Sequence, residues 1–331
     1  MNAGLGPDMS VVITTRENFK SIETTIQYLL EQTVSDRIEL VIVAPSEEQL
    51  SFKKSLLKKF WGYQVVSVGQ IDSIGSANAE GIRRARGEVV ALAEDHCFPE
   101  PGWAAALISA HSDVCVGIGP VIRNANPTTM VSWCDFLIGY CFWMEPMAAA
   151  QTSFIPGHNS SYKRSVLIEE YGDQLGDMLE SETVMHLDLC RKGYRLRIEP
   201  AARTAHVNFS LLSSWFPVQY LAGRVFAGNR IRSWSVARRL IYGIASPLIP
   251  IVRLFRISRE LTRPGRPSHL SARLMPLLIL GLLCDGLGQM IGYLSGPGNA
   301  TEKLGQFEFN RIDHITEEDR RSLFMSKNKK K

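Results

Sequence analysis

The chain has 331 residues, 45% hydrophobic and 21% charged, a composition that supports a packed core and excludes a disordered or fibrous protein. A net charge of +4 is too small to argue for nucleic acid, but the positive charge crowds toward the C-terminus, and that asymmetry says more than the total. The six cysteines, Cys97, Cys115, Cys134, Cys141, Cys190 and Cys284, form no CxxC pair and no regular spacing, so neither a zinc knuckle nor a disulfide framework is expected and a reducing cytosol fits best. Asp8, Arg16, Glu17, Lys20 and Glu23 interrupt the apolar positions near the start, which argues against a secretory signal.

In chain order, Met9 to Thr14 is a short β-branched run that reads as a strand, and Ser21 to Gln32 has apolar residues at helix spacing. Leu40 to Ala44 is a continuous apolar run of the kind buried on both faces of a parallel sheet, closed by Pro45. Helix-like spacing follows over Glu47 to Phe60, strand over Tyr63 to Val68, helix over Ser76 to Arg86 and strand over Glu88 to Ala93. Repeated alternation of this kind predicts an α/β fold with a mostly parallel, doubly wound sheet flanked by helices.

The stretch from Gly75 to Trp103 carries the most chemistry. Asn78-Ala79-Glu80-Gly81 precedes Ala85-Arg86-Gly87-Glu88, an apolar strand, and then Glu94-Asp95-His96 before two prolines and Trp103. Carboxylates and an imidazole placed where a buried strand ends are how an α/β sheet presents a divalent cation. The segment resembles the metal-motif region of family 2 glycosyltransferases, the inverting, nucleotide-sugar-dependent enzymes of the GT-A fold. The resemblance extends over roughly residues 9 to 230. It includes Val11 to Arg16, where such a strand ends in a turn that meets the nucleoside; Gly157, Asn159 and Arg164, similar to the segment beneath the acceptor; Glu180-Ser181-Glu182 ahead of Gly193-Tyr194; His206; and Tyr220, Gly223 and Arg224. After the second strand the chain departs from the family: Ala44-Pro45-Ser46 stands where an acidic side chain usually meets the base, which leaves the base open.

The resemblance implies roles. Glu182 aligns with the catalytic base, which takes the acceptor's hydroxyl proton in a single inverting step. Thr15, Arg16, Asn78, Gly81, Glu94, Asp95 and Arg224 are expected around the donor, with Arg224 on phosphate oxygens. Trp103, Gly157 and Asn159 are expected on the acceptor side. Asp95, His96 and His206 are the metal-ligand candidates for Mn²⁺ or Mg²⁺, the imidazoles favouring Mn²⁺. No Walker A pattern and no dinucleotide fingerprint occurs in the sequence, so phosphoryl transfer and NAD chemistry have no support.

Beyond residue 230 the character changes. Arg230, Arg232, Arg238, Arg239, Arg253, Arg256, Arg259, Arg263, Arg266 and Arg273 surround the apolar stretches Leu240 to Val252 and Leu274 to Leu294. The first is too short to cross a bilayer, and the second carries Asp285 near its middle, so an interfacial or re-entrant attachment is favoured over a span. The expected layout is a catalytic domain over 1–230 (donor half 9–103, acceptor half 104–230), a membrane-associated region over 231–295, and a polar, mobile tail over 296–331 that ends in Lys329 to Lys331. The expected function is sugar transfer from a nucleotide-diphosphate donor to a lipid-linked or saccharide acceptor at the cytoplasmic membrane face. A polyprenyl-phosphate glycosyl transferase and a non-catalytic membrane-bound scaffold are the alternatives.

Overall fold

The structure is a computed structural model that describes residues 6–111, 114–232, 234–267 and 271–325. Its contacts divide the chain into two units, Met1–Ile122 with Met147–Ala205, and Arg123–Pro146 with His206–Lys331.

The first unit begins with strands and helices in alternation: β1 (Met9–Thr14), α1 (Phe19–Leu30), β2 (Ile38–Ala44), α2 (Glu47–Leu50), β3 (Gly62–Ser67), α3 (Ile74–Arg84), β4 (Val89–Ala93), β5 (Cys97–Pro99), α4 (Trp103–Ala110) and β6 (Gly117–Asn124). After α5 (Met130–Tyr140), which belongs to the second unit, come β7 (Ala150–Thr152), β8 (Ser161–Lys163), α6 (Arg164–Tyr171), α7 (Leu175–Leu179), α8 (Glu182–Arg191) and β9 (Leu196–His206). Nine strands form one sheet in the order β3-β2-β1-β4-β8-β6-β9-β5, with β7 paired to β9. Only part of this sheet is the parallel array expected: β1 pairs in parallel with β2 and β4, and β2 with β3. Strand β8 runs antiparallel to β4 and β6, and β7 antiparallel to β9. Neither β7 nor β8 is entered through a helical crossover within this unit, the connection that parallel neighbours require.

Every residue of β1, β2 and β4 is buried, as expected for strands covered on both faces. Glu39 is the charged residue among them, fully buried in β2, and it is satisfied. Its carboxylate accepts from Ser10 Oγ at 2.6 Å, Gln64 Nε2 at 2.9 Å and the Arg86 amide at 2.8 Å, so the buried charge is hydrogen-bonded rather than orphaned. The Gly87 amide donates to Ser10 Oγ at 2.9 Å, and a Cβ at Gly87 would come within 2.7 Å of the Ser10 backbone nitrogen. That contact explains the Ala-Arg-Gly-Glu turn ahead of β4. The helix expected over Glu47 to Phe60 breaks after α2 because Ser51 takes a left-handed φ of 41°, and a 3₁₀ turn over Lys54–Lys59 replaces the rest.

The second unit contains α5, α9 (Leu212–Arg230), α10 (Val236–Ala245), α11 (Leu248–Leu261), α12 (Ser271–Ser295), α13 (Ala300–Phe309) and α14 (Glu317–Met325). Helices α9 and α12 touch backbone to backbone. A Cβ at Gly223 would meet the Asp285 carbonyl, at Gly288 that of Tyr220, and at Gly292 that of Arg224, so these small residues permit the approach. Asp285, within α12, is buried against Arg253 Nη1 at 2.5 Å and Gln289 Nε2 at 2.9 Å. Arg253 also donates to the Ile138 carbonyl at 2.7 Å.

These contacts correct the expected boundaries. Helix α5 does not belong with the sheet, because Asp135 accepts from the Phe209 amide at 3.0 Å and Gln219 Nε2 at 2.9 Å and pairs with Arg311 at 3.4 Å. The expected mobile tail is folded through its described part. Ala300 is buried beside Leu221 and Val225, and the fully buried Asp319 accepts from Thr128 Oγ1. Lys329 to Lys331 lie outside the described residues.

Two histidines of the first unit tie its stability to pH. His111 stands 2.8 Å from Ser161 Oγ and His186 the same distance from Tyr162 Oη. Burial, assisted by Lys163, lowers the His111 pKa to about 4, and burial alone lowers that of His186 to about 3. Both remain neutral when folded, whereas the unfolded chain takes up their protons below about pH 6.5. Stability is therefore retained above that pH and falls as pH drops from about 6.5 toward 4, by about 1 kcal/mol per pH unit for each histidine. Denaturant melts across this window should show the slope, and His186→Gln should reduce it; an identical slope in the variant excludes this origin.

Candidate functional site

Strand β4 delivers the first acids. Glu94 follows its last residue, and the Glu94 carbonyl accepts from Thr25 Oγ1 at 2.9 Å. His96 is buried between its neighbours, with Nδ1 2.5 Å from Asp95 Oδ1 and Nε2 3.2 Å from Glu94 Oε2. Both ring nitrogens thus face carboxylates, a placement that orients Glu94 and Asp95, whereas the sequence reading made His96 a ligand in its own right.

The segment Gly157-His158-Asn159 is fastened to the same strand. The Asn159 amide donates to the Leu92 carbonyl at 2.6 Å, and the Leu92 amide to that of Ser160 at 3.2 Å. Asn159 takes a left-handed φ of 51°, a conformation that asparagine tolerates better than most residues. Its side chain is fully buried, and neither Oδ1 nor Nδ2 has a hydrogen-bond partner. Such an amide is rare in a folded protein and marks a place with a function beyond packing. His158 and Glu94 each offer a ligand atom within 4.8 Å of the other.

Glu182 opens α8. A Cβ at Gly157 would fall 2.6 Å from the Glu182 carboxyl carbon and 2.7 Å from Oε2, so the acid lies directly on the glycine. The hydrogen bonds to Leu92, the contact at Gly157 and the proximity of Glu94 to His158 therefore bring Glu94 and Glu182 onto one three-residue segment.

The donor-side candidates divide. Thr14 Oγ1 donates to Asn78 Oδ1 at 2.7 Å, joining the end of β1 to α3. Thr15 Oγ1 accepts from the Glu17 amide at 3.1 Å and lies 2.8 Å from Ser21 Oγ, while Arg16 Nη2 donates to the Asp72 carbonyl at 3.2 Å. Thr15, Arg16 and Asn78 thus bind the turn after β1 to its surroundings. Gly81 serves packing: a Cβ there would strike Val12 and come within 2.8 Å of Val43 Cγ2.

Two candidates, Trp103 and Arg224, sit otherwise than expected. Trp103 is fully buried in the core and donates from Nε1 to the Asn159 carbonyl at 2.9 Å, so it supports the 157–159 segment and offers an acceptor no surface. Arg224 lies in the second unit and donates from Nε to the Gly296 carbonyl at 3.3 Å, which assigns it to the turn after α12 rather than to phosphate. His206, also of the second unit, is fully buried, with Nε2 3.1 Å from Tyr140 Oη and Nδ1 3.2 Å from Asn208 Oδ1. As a metal ligand it would give up one of these contacts.

Two residues went unassigned in the sequence. His158 stands between two recognised motif positions, and that adjacency was the available signal. Glu180 accepts from Ser73 Oγ and, at 2.9 Å, from the Gly75 amide at the start of α3, where a carboxylate complements the helix dipole; only its place in the Glu-Ser-Glu triplet hinted at this.

Residues 10–170 match the family model described as Glycosyl transferase family 2. A comparison with curated proteins gives no match. Among solved structures, a crystal structure of GalNAc-T7 with UDP, GalNAc and Mn²⁺ is similar at a TM-score of 0.44 and 17% identity, covering 60% of this chain and 43% of that one. The mannosyltransferase PcManGT from Pyrobaculum calidifontis, in complex with GDP-Man and Mn²⁺, is similar at a TM-score of 0.42 and 15% identity, covering 98% of this chain and 85% of that one. The match to glycosyl transferase family 2 thus spans residues 10–170, which include Glu94 and the Gly157-His158-Asn159 segment fastened to β4.

Proposed function

We propose that the first unit transfers a sugar, with inversion, from a nucleotide-diphosphate donor to a hydroxyl of a lipid-linked or saccharide acceptor. The observation that carries this reading is the seat of Glu182 on Gly157, on the segment that also meets the acids after β4. An inverting transfer needs a base on the acceptor side and a positive charge on the leaving diphosphate. Glu182 is the base: its carboxylate takes the acceptor's proton as the hydroxyl oxygen attacks the anomeric carbon from the face opposite the diphosphate. Glu94, Asp95 and His158 offer the oxygen and nitrogen donors that suit Mn²⁺ or Mg²⁺. Such an ion, when bound, neutralises charge developing on the diphosphate. Asn159, with its unpartnered amide, holds a polar group of a substrate.

Glu182→Gln keeps size and reach while removing basicity. Transfer should fall by about 10²–10⁴-fold, while calorimetry in Mn²⁺ shows nucleotide-diphosphate binding unchanged. Gly157→Ala forces the Glu182 carboxylate aside, and a displacement on the order of 1 Å can cost about 10²-fold. Near-normal turnover in Glu182→Gln would rule out this base and favour an acceptor that is already ionised, such as a polyprenyl phosphate.

The second unit supports attachment to the membrane surface. Helices α10 and α11 turn through 62° at their junction, and α12 is one helix among the described residues long and apolar enough to cross a membrane. Ile241 and Ile244 of α10, Leu248, Ile251 and Phe255 of α11, and Leu280, Leu283 and Leu287 of α12 are exposed, with Ile244 at 78% and Phe255 at 69%. Their spacing places them on one face of each helix. Exposed Arg238, Arg256, Arg259 and Arg263 accompany them, the pairing of apolar face and basic residues that suits anionic headgroups. The bend and the polar interior of α12 at Asp285 favour a surface-lying, monotopic arrangement on the cytoplasmic side. The full chain should float with vesicles containing phosphatidylglycerol and resist release by salt, whereas Ile244→Glu with Phe255→Glu should remain at the bottom of the gradient. Flotation of that double variant would overturn the assignment of this face.

A further inference from the structure

Arg266 uses only one of its terminal nitrogens, although it is just 7% exposed. Nη1 donates to the Met144 carbonyl and, at 2.7 Å, to that of Glu145. Nε and Nη2 are buried and have no hydrogen-bond partner. A guanidinium remains charged throughout the physiological range, and leaving buried donors of such a group unmet is costly. Burial lowers its pKa, against the opposing pull of Glu260. Nε and Nη2 together form the side edge of the guanidinium, which takes two oxygens of one carboxylate or phosphate in parallel.

The position of this edge is built into the chain. Gly265 takes a left-handed φ of 79°, and a Cβ there would come within 2.7 Å of Pro146 Cγ. Only glycine allows the turn that presses Arg266 onto the carbonyls of residues 144 and 145. Arg266 itself lines a cavity of about 420 Å³, together with Arg123, Trp133, Phe136, Met144 and Glu145 among others. Two guanidinium groups against one carboxylate leave its charge positive, and the aromatic and thioether side chains supply an apolar wall. The chain reaches Gly265 directly from α11, which carries exposed Phe255, Arg256, Arg259 and Arg263.

We propose that this cavity binds the phosphate group of a lipid, with phosphate oxygens on Nε and Nη2 of Arg266 and the chain of the amphiphile along Trp133 and Phe136. The choice of a lipid rather than a soluble phosphate rests on reading the second unit as facing the membrane. The site itself rests on the unpartnered edge and the cavity. The two can fail separately.

Calorimetry on the full chain with decyl phosphate, below its micellar concentration, tests the site without a membrane. Dihexanoyl phosphatidic acid and inorganic phosphate serve as the parallel ligands. Decyl phosphate should bind the wild-type chain, and inorganic phosphate more weakly by at least about tenfold because it lacks the apolar chain. Arg266→Lys keeps the charge but loses the fork, and should weaken binding by about 10- to 100-fold with the near-ultraviolet circular dichroism unchanged. Tighter binding of phosphatidic acid than of decyl phosphate would identify a bulk membrane lipid as the source of the phosphate, and the reverse a single-chain phosphate. Inorganic phosphate binding as tightly as either would overturn the lipid and leave a soluble anion. The absence of binding by any of the three to wild type, or equal affinity in folded Arg266→Lys, would overturn the site. Loss of vesicle flotation with decyl phosphate binding intact would count against the membrane reading alone.

Discussion

Two backbone hydrogen bonds between Leu92 and the 159–160 segment, at 2.6 Å and 3.2 Å, fix the geometry on which the first unit's chemistry depends. They set β8 beside β4 in antiparallel register and so bring a segment from beyond the second unit's insertion back to the strand that ends in Glu94. Without them the acids after β4 and the acid that opens α8 would belong to separate parts of the chain. Trp103 reinforces the arrangement through its bond to the Asn159 carbonyl. Gly157 completes it, since any larger residue would displace Glu182. The left-handed turn at Asn159 and its buried, unpartnered amide are costs that the surrounding pairing sustains, in keeping with the tendency of strain and unmet polar groups to collect at functional sites.

The second unit addresses the same problem of buried polarity in a helical setting. Its long apolar helix includes an aspartate that lipid would not tolerate. Arg253, Gln289 and the close crossing with α9 satisfy that carboxylate within the unit, while Leu280, Leu283 and Leu287 of the same helix remain exposed. Asp135 is handled similarly: burial raises its pKa to about 6, while Arg311 and the Phe209 amide pull the other way. In both cases a carboxylate pins one helix to others through several donors, and the outward faces remain available to a different neighbour.

The alternation of strand and helix was legible up to β4 because buried parallel strands are continuous β-branched runs and the flanking helices repeat at 3.6 residues. The acid cluster after β4, Glu182 and the glycine-asparagine segment were legible as ordered motifs. What periodicity could not convey was partnership. Nothing in the pattern of α5 indicates that Asp135 reaches Phe209 and Gln219, so its unit was misassigned. Trp103 reads equally well as a site aromatic or a core aromatic, and only burial separates the two. The polar composition after residue 296 suggested mobility because its anchors, Ala300, Arg311 and Asp319, are isolated positions whose partners lie far away in the chain.

The acids of the first unit also bear on why histidines accompany them. Carboxylates gathered in one place raise each other's proton affinity, so a cluster meant to work ionised needs positive charge or donors close by. His96 meets both Glu94 and Asp95, and His158 approaches Glu94 from the opposite strand segment. The His96 imidazole can donate from Nδ1 to Asp95, and on the proposed reading a divalent ion adds the larger charge when the donor diphosphate arrives. Glu182 lies on Gly157 of the same segment and opens a helix. On the proposed reading, the same short segment meets through its glycine the acid that acts on a hydroxyl and through its histidine an acid that shares its charge with a cation.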